Sequence, residues 1–205
     1  MLVVCLDLEG VLMPEVWINF AERTGIPELR ITTREEPDYG KLMRYRLDIL
    51  DSNGLTIDDI TDVIEEMQPL DGAVEFLDWL RSNWQVIILS DTFSQFAAPM
   101  MEKLGRPTIL CHTLEVDEES RRVTGWTIRM EDQKRHAVEA LRGLNFNVIS
   151  SGDSYNDTSM LAASNAGILL NPPSNVVEEF PQYPVVNDYE QLLVEIEAAA
   201  SNLHE

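Results

Sequence analysis

Positive charge is scarce in this sequence. Its 205 residues contain 15 Lys and Arg against 36 Asp and Glu, which gives a formal net charge of −21 at pH 7. The lysines stand only at positions 41, 103 and 134. A nucleic-acid backbone and an anionic membrane surface would both be repelled by such a chain, so we expect neither as a partner.

Long apolar runs and cysteine pairs are also rare. Runs such as VIIL and GILL are far shorter than the roughly 20 residues that a membrane-spanning helix needs. Asp7 and the absence of a basic start argue against a signal peptide. Cys5 and Cys111 lie in apolar surroundings, which favours buried thiols in a reducing compartment over a disulfide. We therefore expect a cytoplasmic protein.

Four short apolar runs predict the strands of a parallel sheet. They are VVCLD, QVIILSD, NVISSGD and AGILL, at residues 3–7, 85–91, 147–153 and 166–170. Runs of this length, rich in Val and Ile, are typical of strands buried on both faces. Helical patterns alternate with them at residues 71–83, 96–105 and 135–144. The last pattern presents Val138, Leu141 and Leu144 on one face. The alternation predicts an α/β fold with a doubly wound parallel sheet.

Residues 14–70 interrupt this alternation, because they contain no convincing strand. They predict several helices, the last of which begins at Thr56 as an N-cap. We expect residues 14–70 to form a helical cap domain, inserted into an α/β core domain of residues 1–13 and 71–205. Residues 114–130 alternate in polarity, which predicts a β-hairpin or a pair of edge strands.

Reactive side chains follow three of the four predicted strands. Asp7 and Glu9 end the first, Ser90 and Asp91 end the second, and Asp153 ends the third. Because ligands bind outside the carboxyl ends of the strands in such sheets, we expect these side chains to lie together. Clustered carboxylates repel one another unless a cation joins them, and oxygen ligands without His or Cys favour Mg²⁺. A carboxylate can also act as a nucleophile towards phosphorus.

A phosphoryl group at this edge would need positive charge and hydrogen-bond donors. Lys134 lies at the start of a predicted helix and can supply the charge. The Ser90 hydroxyl and the backbone N–H groups after it can donate hydrogen bonds. Asp91 allows two interpretations, a helix N-cap or a neighbour of the phosphate, and we favour a role for its backbone over its carboxylate.

The stretches DLEGV, ILSDT and GDSYND, with Lys134 between the second and third, resemble the four motifs of the haloacid dehalogenase-type phosphotransferases in order and spacing. The helical insertion after the first motif is similar to the cap of their phosphoserine phosphatase branch. The DLEG opening resembles members of that branch that also transfer phosphate to homoserine. The resemblance covers nearly the whole chain. It implies an Mg²⁺-dependent enzyme that acts on phosphoserine through an aspartyl-phosphate, with homoserine as a second acceptor.

The resemblance also implies a role for each matching residue. Asp7 would be the nucleophile and a metal ligand. Glu9 would be the general acid and base, and its backbone carbonyl would bind the metal. The family usually has Asp at this second position, and Glu keeps the carboxylate with a longer reach. The remaining implied roles are phosphate binding by Ser90, Asp91 and Lys134, metal ligation by Asp153 with support from Asp157, and substrate binding by Glu15, Arg46 and Asn156.

The charges of Glu15 and Arg46 suit an amino-acid substrate, because a zwitterion needs one anion and one cation and Arg forms a fork for a carboxylate. Two alternatives stay open. One is a phosphatase of another small phosphomonoester, and the other is a non-catalytic protein that binds a phosphoamino acid. A pure binding protein needs no nucleophile, so the complete motif set favours an enzyme. Monomer and homodimer are both compatible with the sequence.

Overall fold

The computed structural model describes residues 1–32, 35–36 and 38–203. Within these residues the strands are β1 (Leu2–Leu6), β2 (Gln85–Phe93), β3 (Thr108–Val116), β4 (Val123–Thr127), β5 (Asn147–Gly152), β6 (Ala166–Leu170) and β7 (Val185–Val186). They form one sheet in the order β4-β3-β2-β1-β5-β6-β7. Each described pair of neighbours is parallel except β3 and β4, which are antiparallel. The predicted α/β fold is confirmed.

Helices occupy much of the remaining chain. They are α1 (Val16–Thr24), α2 (Tyr39–Asn53), α3 (Ile57–Glu66), α4 (Ala73–Asn83), α5 (Ser94–Lys103), α6 (Gln133–Gly143), α7 (Thr158–Ala163), α8 (Ser174–Glu179) and α9 (Tyr189–Asn202), with 3₁₀ turns at Pro27–Arg30 and Tyr155–Asp157. Thr56 caps α3 as predicted, in a reciprocal capping box with Asp59. Among the described residues, no helix has the length and apolar character needed to cross a membrane.

The predicted strands are present, but the prediction missed part of the sheet. β1, β2, β5 and β6 coincide with the four apolar runs. The predicted hairpin exists as the β3–β4 pair, yet β3 begins at Thr108 and first pairs in parallel with β2. The early residues of β3 are mostly half-buried. They therefore form no long apolar run that would mark a buried strand.

The predicted apolar face of the helix at 135–144 is wrong at its end. Val138 is fully buried in the core and Leu141 packs against it, but Leu144 is 70% exposed. α6 ends at Gly143. Leu144 therefore lies beyond the last helical turn, where the spacing of the buried face no longer applies.

Two apolar clusters cover the two faces of the sheet. Alternate residues of β1 divide between them, since Leu6 belongs to one cluster and Cys5 to the other. The larger cluster also contains Phe20 of α1 and Ile60 of α3. Burial of each such side chain contributes about 1.5–3 kcal/mol. The helices between β1 and α4 therefore share the core of the sheet, and Tyr39 and Arg46 of α2 line the cavity at its carboxyl edge.

Candidate active site

The carboxyl ends of β1, β2 and β5 meet at the middle of the sheet. β1 pairs with β2 on one side and with β5 on the other, and Leu6 lies opposite Ile88 and Ser151. This is the switch point in strand order, where α/β sheets bind ligands. A cavity of about 1200 Å³ opens here. Its lining includes the predicted residues Asp7, Glu9, Glu15, Arg46, Ser90, Asp91, Lys134, Asp153 and Asn156.

Lys134 lies at the centre of the charged residues and is 2% exposed. Its Nζ is 2.9 Å from Oδ1 of Asp7, 2.7 Å from Oδ1 of Asp157 and 3.7 Å from Oδ2 of Asp91. Burial alone would lower the pKa of this ammonium, but the three carboxylates hold the pKa well above its usual value. Lys134 therefore stays charged beside Asp7.

Asp157 is fully buried behind the cavity. Its Oδ2 accepts the backbone N–H groups of Asp153 at 3.0 Å and Ser154 at 3.1 Å. Its other oxygen accepts from Lys134. The side chain thus fixes both the loop that carries Asp153 and the ammonium that faces Asp7.

Three carboxylates are close enough to share a cation. One oxygen each from Asp7, Asp153 and Asp157 lies within 4.8 Å of the others. Burial, followed by the charge of Asp157, raises the pKa of Asp7 well above its usual value. Burial and the charges of Asp157 and Glu15 raise the pKa of Asp153 to about 7. An all-oxygen set under this mutual repulsion fits a hard divalent cation such as Mg²⁺.

Two glycines leave room for these carboxylates. Gly10 has a φ of +79°, and a Cβ there would lie 2.4 Å from Oδ2 of Asp153. A Cβ at Gly152 would lie 2.3 Å from Cγ of Asp157. Neither distance is compatible with a larger residue unless the carboxylate moves, so both glycines are needed for the observed arrangement.

Glu9 connects the strand end with the first inserted helix. Its Oε2 accepts the backbone N–H of Val16 at 2.9 Å, in the first turn of α1. The positive end of the helix dipole favours a carboxylate at this point. The extra methylene of Glu relative to Asp gives the side chain the reach for this contact while it still lines the cavity.

Arg46 reaches the same cavity from α2 and is 6% exposed. One terminal nitrogen donates to the carbonyl of Ile31 at 2.8 Å, and the guanidinium carbon lies 4.5 Å from the centre of the Trp17 ring. Its Nε has no hydrogen-bond partner among the described residues. Burial lowers the pKa of Arg46 to about 10, although Tyr39, Glu9 and Glu15 oppose the fall through their charges. Arg46 therefore remains a cation with an unused donor.

The Asp91 carboxylate makes hydrogen bonds in the site, in addition to the backbone role that we expect for this residue. The N-cap interpretation is wrong, because β2 continues to Phe93 and α5 begins only after it. The Asp91 carboxylate accepts from Asn156 Nδ2 at 3.0 Å and from Gln133 Nε2 at 3.3 Å. Its backbone carbonyl accepts from the Tyr39 hydroxyl of α2 at 3.3 Å. Asp91 thus links the sheet edge to the inserted helices.

The sequence analysis missed three cavity residues around Asp91, namely Tyr39, His112 and Gln133. His112 lies on the unpredicted part of β3, so nothing placed it near the site. Gln133 directly precedes Lys134, and this adjacency was the one available signal. Both side chains are buried and hydrogen-bonded.

The chain is similar to known proteins along nearly its whole length. Residues 7–162 match the family model of the haloacid dehalogenase-like hydrolases. Phosphoserine phosphatase ThrH of Pseudomonas aeruginosa is 56% identical over 199 residues, which cover 97% of each chain. A phosphoserine phosphatase of Pseudomonas syringae pv. tomato is 53% identical over 199 residues, 97% of this chain and 84% of the relative.

Solved structures show the same fold at much lower identity. A substrate-bound phosphoserine phosphatase superposes with a TM-score of 0.78 at 19% identity, covering 94% of this chain and 97% of the other. A phospho-aspartyl intermediate analogue of phosphoserine phosphatase has a TM-score of 0.76 at 19% identity, with the same coverage of 94% and 97%.

Proposed function

The chain belongs to the haloacid dehalogenase-like hydrolase family, and from that premise we propose that it is an Mg²⁺-dependent phosphoserine phosphatase. One observation carries the proposal. A single cavity presents Asp7 from the end of β1, Lys134 from the start of α6, and Glu15 and Arg46 from the inserted helical segment. The first pair suits a phosphoryl group and the second pair suits an α-amino acid. The near full-length relatives named phosphoserine phosphatase support this substrate.

The proposal includes the division of the chain into two domains and the cellular location of the enzyme. Residues 1–13 and 71–205 would form the catalytic domain, and residues 14–70 would form the cap that recognises the amino acid. The enzyme would act in the cytoplasm. Two free cysteines, Cys5 and Cys111, are consistent with a reducing compartment.

The first half of the reaction forms an aspartyl-phosphate at Asp7. A carboxylate oxygen of Asp7 attacks phosphorus, the bond from phosphorus to the serine oxygen breaks, and protonated Glu9 gives its proton to that oxygen. Lys134 and the Ser90 hydroxyl stabilise the charge on the phosphoryl oxygens. Serine is then free to leave.

The second half restores the enzyme. Ionised Glu9 takes a proton from a water molecule as the water oxygen attacks phosphorus. The bond between phosphorus and the Asp7 oxygen breaks, which releases inorganic phosphate and regenerates the carboxylate of Asp7 and the acid form of Glu9. Asp7, Asp153 and the backbone carbonyl of Glu9 would hold Mg²⁺, which supplies positive charge for the phosphoryl oxygens when bound.

The cap side chains would recognise the amino acid. Arg46 would donate to the substrate carboxylate through its guanidinium, and Glu15 would attract the ammonium group. Asn156, next to the phosphate side of the cavity, would contact the substrate from the core.

We extend the proposal to homoserine as a second acceptor. After serine leaves, the pocket still offers the charges of Glu15 and Arg46 to another zwitterion. Homoserine carries its hydroxyl one methylene further out, and one methylene changes discrimination by only about 1–3 kcal/mol. A bound hydroxyl competes with water through its high effective concentration. Glu9 would take its proton as it does from water.

A panel of phosphate esters tests the proposed phosphatase activity and its substrate. Phosphate release with Mg²⁺ is measured for phosphoserine, phosphothreonine, phosphoethanolamine and glycerol phosphate, and phosphoserine should have the highest kcat/KM. Binding of phosphoserine without turnover of any ester would instead identify a non-catalytic binding protein. Preference for another ester would refute phosphoserine as the substrate.

The transfer to homoserine is tested by ³¹P NMR. In the presence of homoserine a new phosphomonoester signal should appear, and inorganic phosphate as the sole product would refute the transfer.

A further inference from the structure

The carboxylate of Asp91 lies on the phosphate side of the cavity, where a negative charge would repel the ligand. Its Oδ2 is 3.7 Å from Nζ of Lys134 and accepts from Asn156 at 3.0 Å. Its Oδ1 accepts from Gln133 at 3.3 Å and lies 3.5 Å from Nε2 of His112. None of the proposed reaction steps uses this carboxylate, so its place in the site needs another explanation.

The groups facing Asp91 are held as donors by their other contacts. Gln133 Oε1 accepts from Arg129 at 2.7 Å, so the amide nitrogen of Gln133 must face Asp91 and the carbonyl of Ser90. Asn156 Oδ1 accepts from the Ser154 hydroxyl, which turns its amide nitrogen towards Asp91. An amide flip at Gln133 would break its contacts with Arg129, Ser90 and Asp91, and a flip at Asn156 would turn its carbonyl oxygen towards the Asp91 carboxylate.

His112 is fixed in the same way. Its Nδ1 accepts the backbone N–H of Arg129 at 3.2 Å, so the ring proton of the neutral form lies on Nε2, which faces Asp91. Lys134 can only donate. Both oxygens of Asp91 are thus surrounded by donors, and only a side chain with two acceptors satisfies them. An Asn at this position would turn its NH₂ group towards another donor.

We propose that Asp91 is a positioning residue that holds Lys134 and Asn156 in place for the phosphoryl group. It joins the end of β2 to the start of α6 and to the turn after β5, and Gln133 and His112 hold its carboxylate in turn. The inference rests on the proposed function, because the ligand is taken to be a phosphoryl group. The residue would affect phosphate binding through the donors that it orients, without touching the reacting atoms.

The test compares Asp91→Asn with a matched charge control. Without the Asp91 acceptor, Lys134 and Asn156 would no longer be held towards the phosphoryl group, and the loss of one hydrogen bond to a charged ligand weakens binding about 10- to 100-fold. The dissociation constant of inorganic phosphate, titrated calorimetrically with Mg²⁺, should rise by that factor. KM should rise alike for phosphoserine and p-nitrophenyl phosphate, which share the phosphoryl group. Glu131→Gln removes an exposed charge from the lining of the same cavity and should leave phosphate affinity within about twofold.

A second pair of variants tests the same proposal in case Asp91→Asn does not fold. His112→Leu keeps Asp91 but removes one of its supports, so phosphate binding should weaken about threefold to tenfold, as expected for one lost hydrogen bond. His112→Gln retains a donor and an acceptor and should restore most of the affinity. Denaturant unfolding of each variant shows whether it is folded. A purely structural role would lower stability and kcat in proportion and leave phosphate affinity unchanged.

Each result of these phosphate titrations either supports or contradicts the proposed role of Asp91. Unchanged or tighter phosphate binding by folded Asp91→Asn would overturn the proposal, because Asp91 would then act only as a repelling charge. Equal phosphate affinity in His112→Leu and wild type would also count against it. If wild type binds phosphate but does not hydrolyse phosphoserine, the proposed function fails while the phosphate titrations still decide the role of Asp91. Failure of the wild type to bind phosphate would overturn both.

Discussion

Replacement of Arg46 by Ala should impair the use of phosphoserine far more than the use of substrates without a carboxylate. Arg46 is buried, it lies over Trp17, and its Nε has no partner in the described part of the chain. In the proposed complex the Arg46 guanidinium would bind the carboxylate of phosphoserine. Phosphoethanolamine has the same phosphate and ammonium groups but no carboxylate, so it should not depend on Arg46.

The expected loss of kcat/KM for phosphoserine follows from the hydrogen bond that the substitution removes. A hydrogen bond to a charged group contributes about 1.5–3 kcal/mol, so kcat/KM for phosphoserine should fall about 10- to 150-fold. Truncation also removes packing against Trp17 and the bond to Ile31, and a change of this kind costs about 0.5–3 kcal/mol of unfolding free energy. A smaller folded fraction of the enzyme lowers the apparent kcat/KM equally for phosphoserine and for phosphoethanolamine. The ratio of the two kcat/KM values therefore isolates the carboxylate contact.

The assay measures phosphate release from both esters by wild type, Arg46→Ala and Arg44→Ala. Arg44 lies on the same helix but is exposed, so its removal should leave the ratio unchanged. The ratio of phosphoserine to phosphoethanolamine should fall at least tenfold in Arg46→Ala. A uniform loss on both substrates would show that Arg46 only supports the fold, and the proposed recognition of the amino acid would be wrong.

Three further substitutions test the reacting end of the cavity. Asp7→Asn should leave less than about a tenth of the wild-type kcat, since an amide cannot form the acyl phosphate, and a residual rate above that level would argue against covalent catalysis. Glu9→Gln should slow turnover by about 10²–10⁴-fold, and an unchanged rate would remove Glu9 from proton transfer. Gly10→Ala should displace Asp153 and weaken Mg²⁺ binding about 10- to 100-fold in a metal titration. Gly54→Ala is its control, because Gly54 shares a positive φ but a Cβ there meets nothing within 4 Å; equal Mg²⁺ affinities would refute the steric argument.

Most of the sheet could be predicted because its central strands are buried on both faces. β1, β2, β5 and β6 form the middle of the sheet, and each contains a short apolar stretch that marks it in the sequence. β3 lies one place from the edge and changes from parallel to antiparallel pairing along its length. Its first four residues are half-buried or exposed and only His112 and Leu114 are buried, so no long apolar run separates this strand from a loop.

The reacting groups could also be predicted, because strand ends mark them in the chain. Asp7, Ser90 and Asp153 follow apolar runs directly, and parallel pairing brings the ends of those runs together. The residues that support these reacting groups do not directly follow apolar runs, so the sequence does not single them out. His112 approaches Asp91 through tertiary contacts, as does Tyr39, which lies 52 residues from Asp91 along the chain. Contacts of this range depend on the packed fold, so the carboxylate role of Asp91 became visible only in the structure.

The cavity is acidic like the chain as a whole, and it contains one ammonium among several carboxylates. Lys134 is within 4 Å of the carboxylates of Asp7, Asp91 and Asp157, so its charge is already shared before any phosphate arrives. Asp153 adds a further carboxylate beside them. One ammonium cannot make this group attractive to a phosphate dianion, whereas a divalent cation among the carboxylates would both relieve their repulsion and face the ligand. Phosphate affinity should therefore follow Mg²⁺ occupancy closely, and surface charges separated from the cavity by more than about 10 Å should matter little at 0.1 M salt.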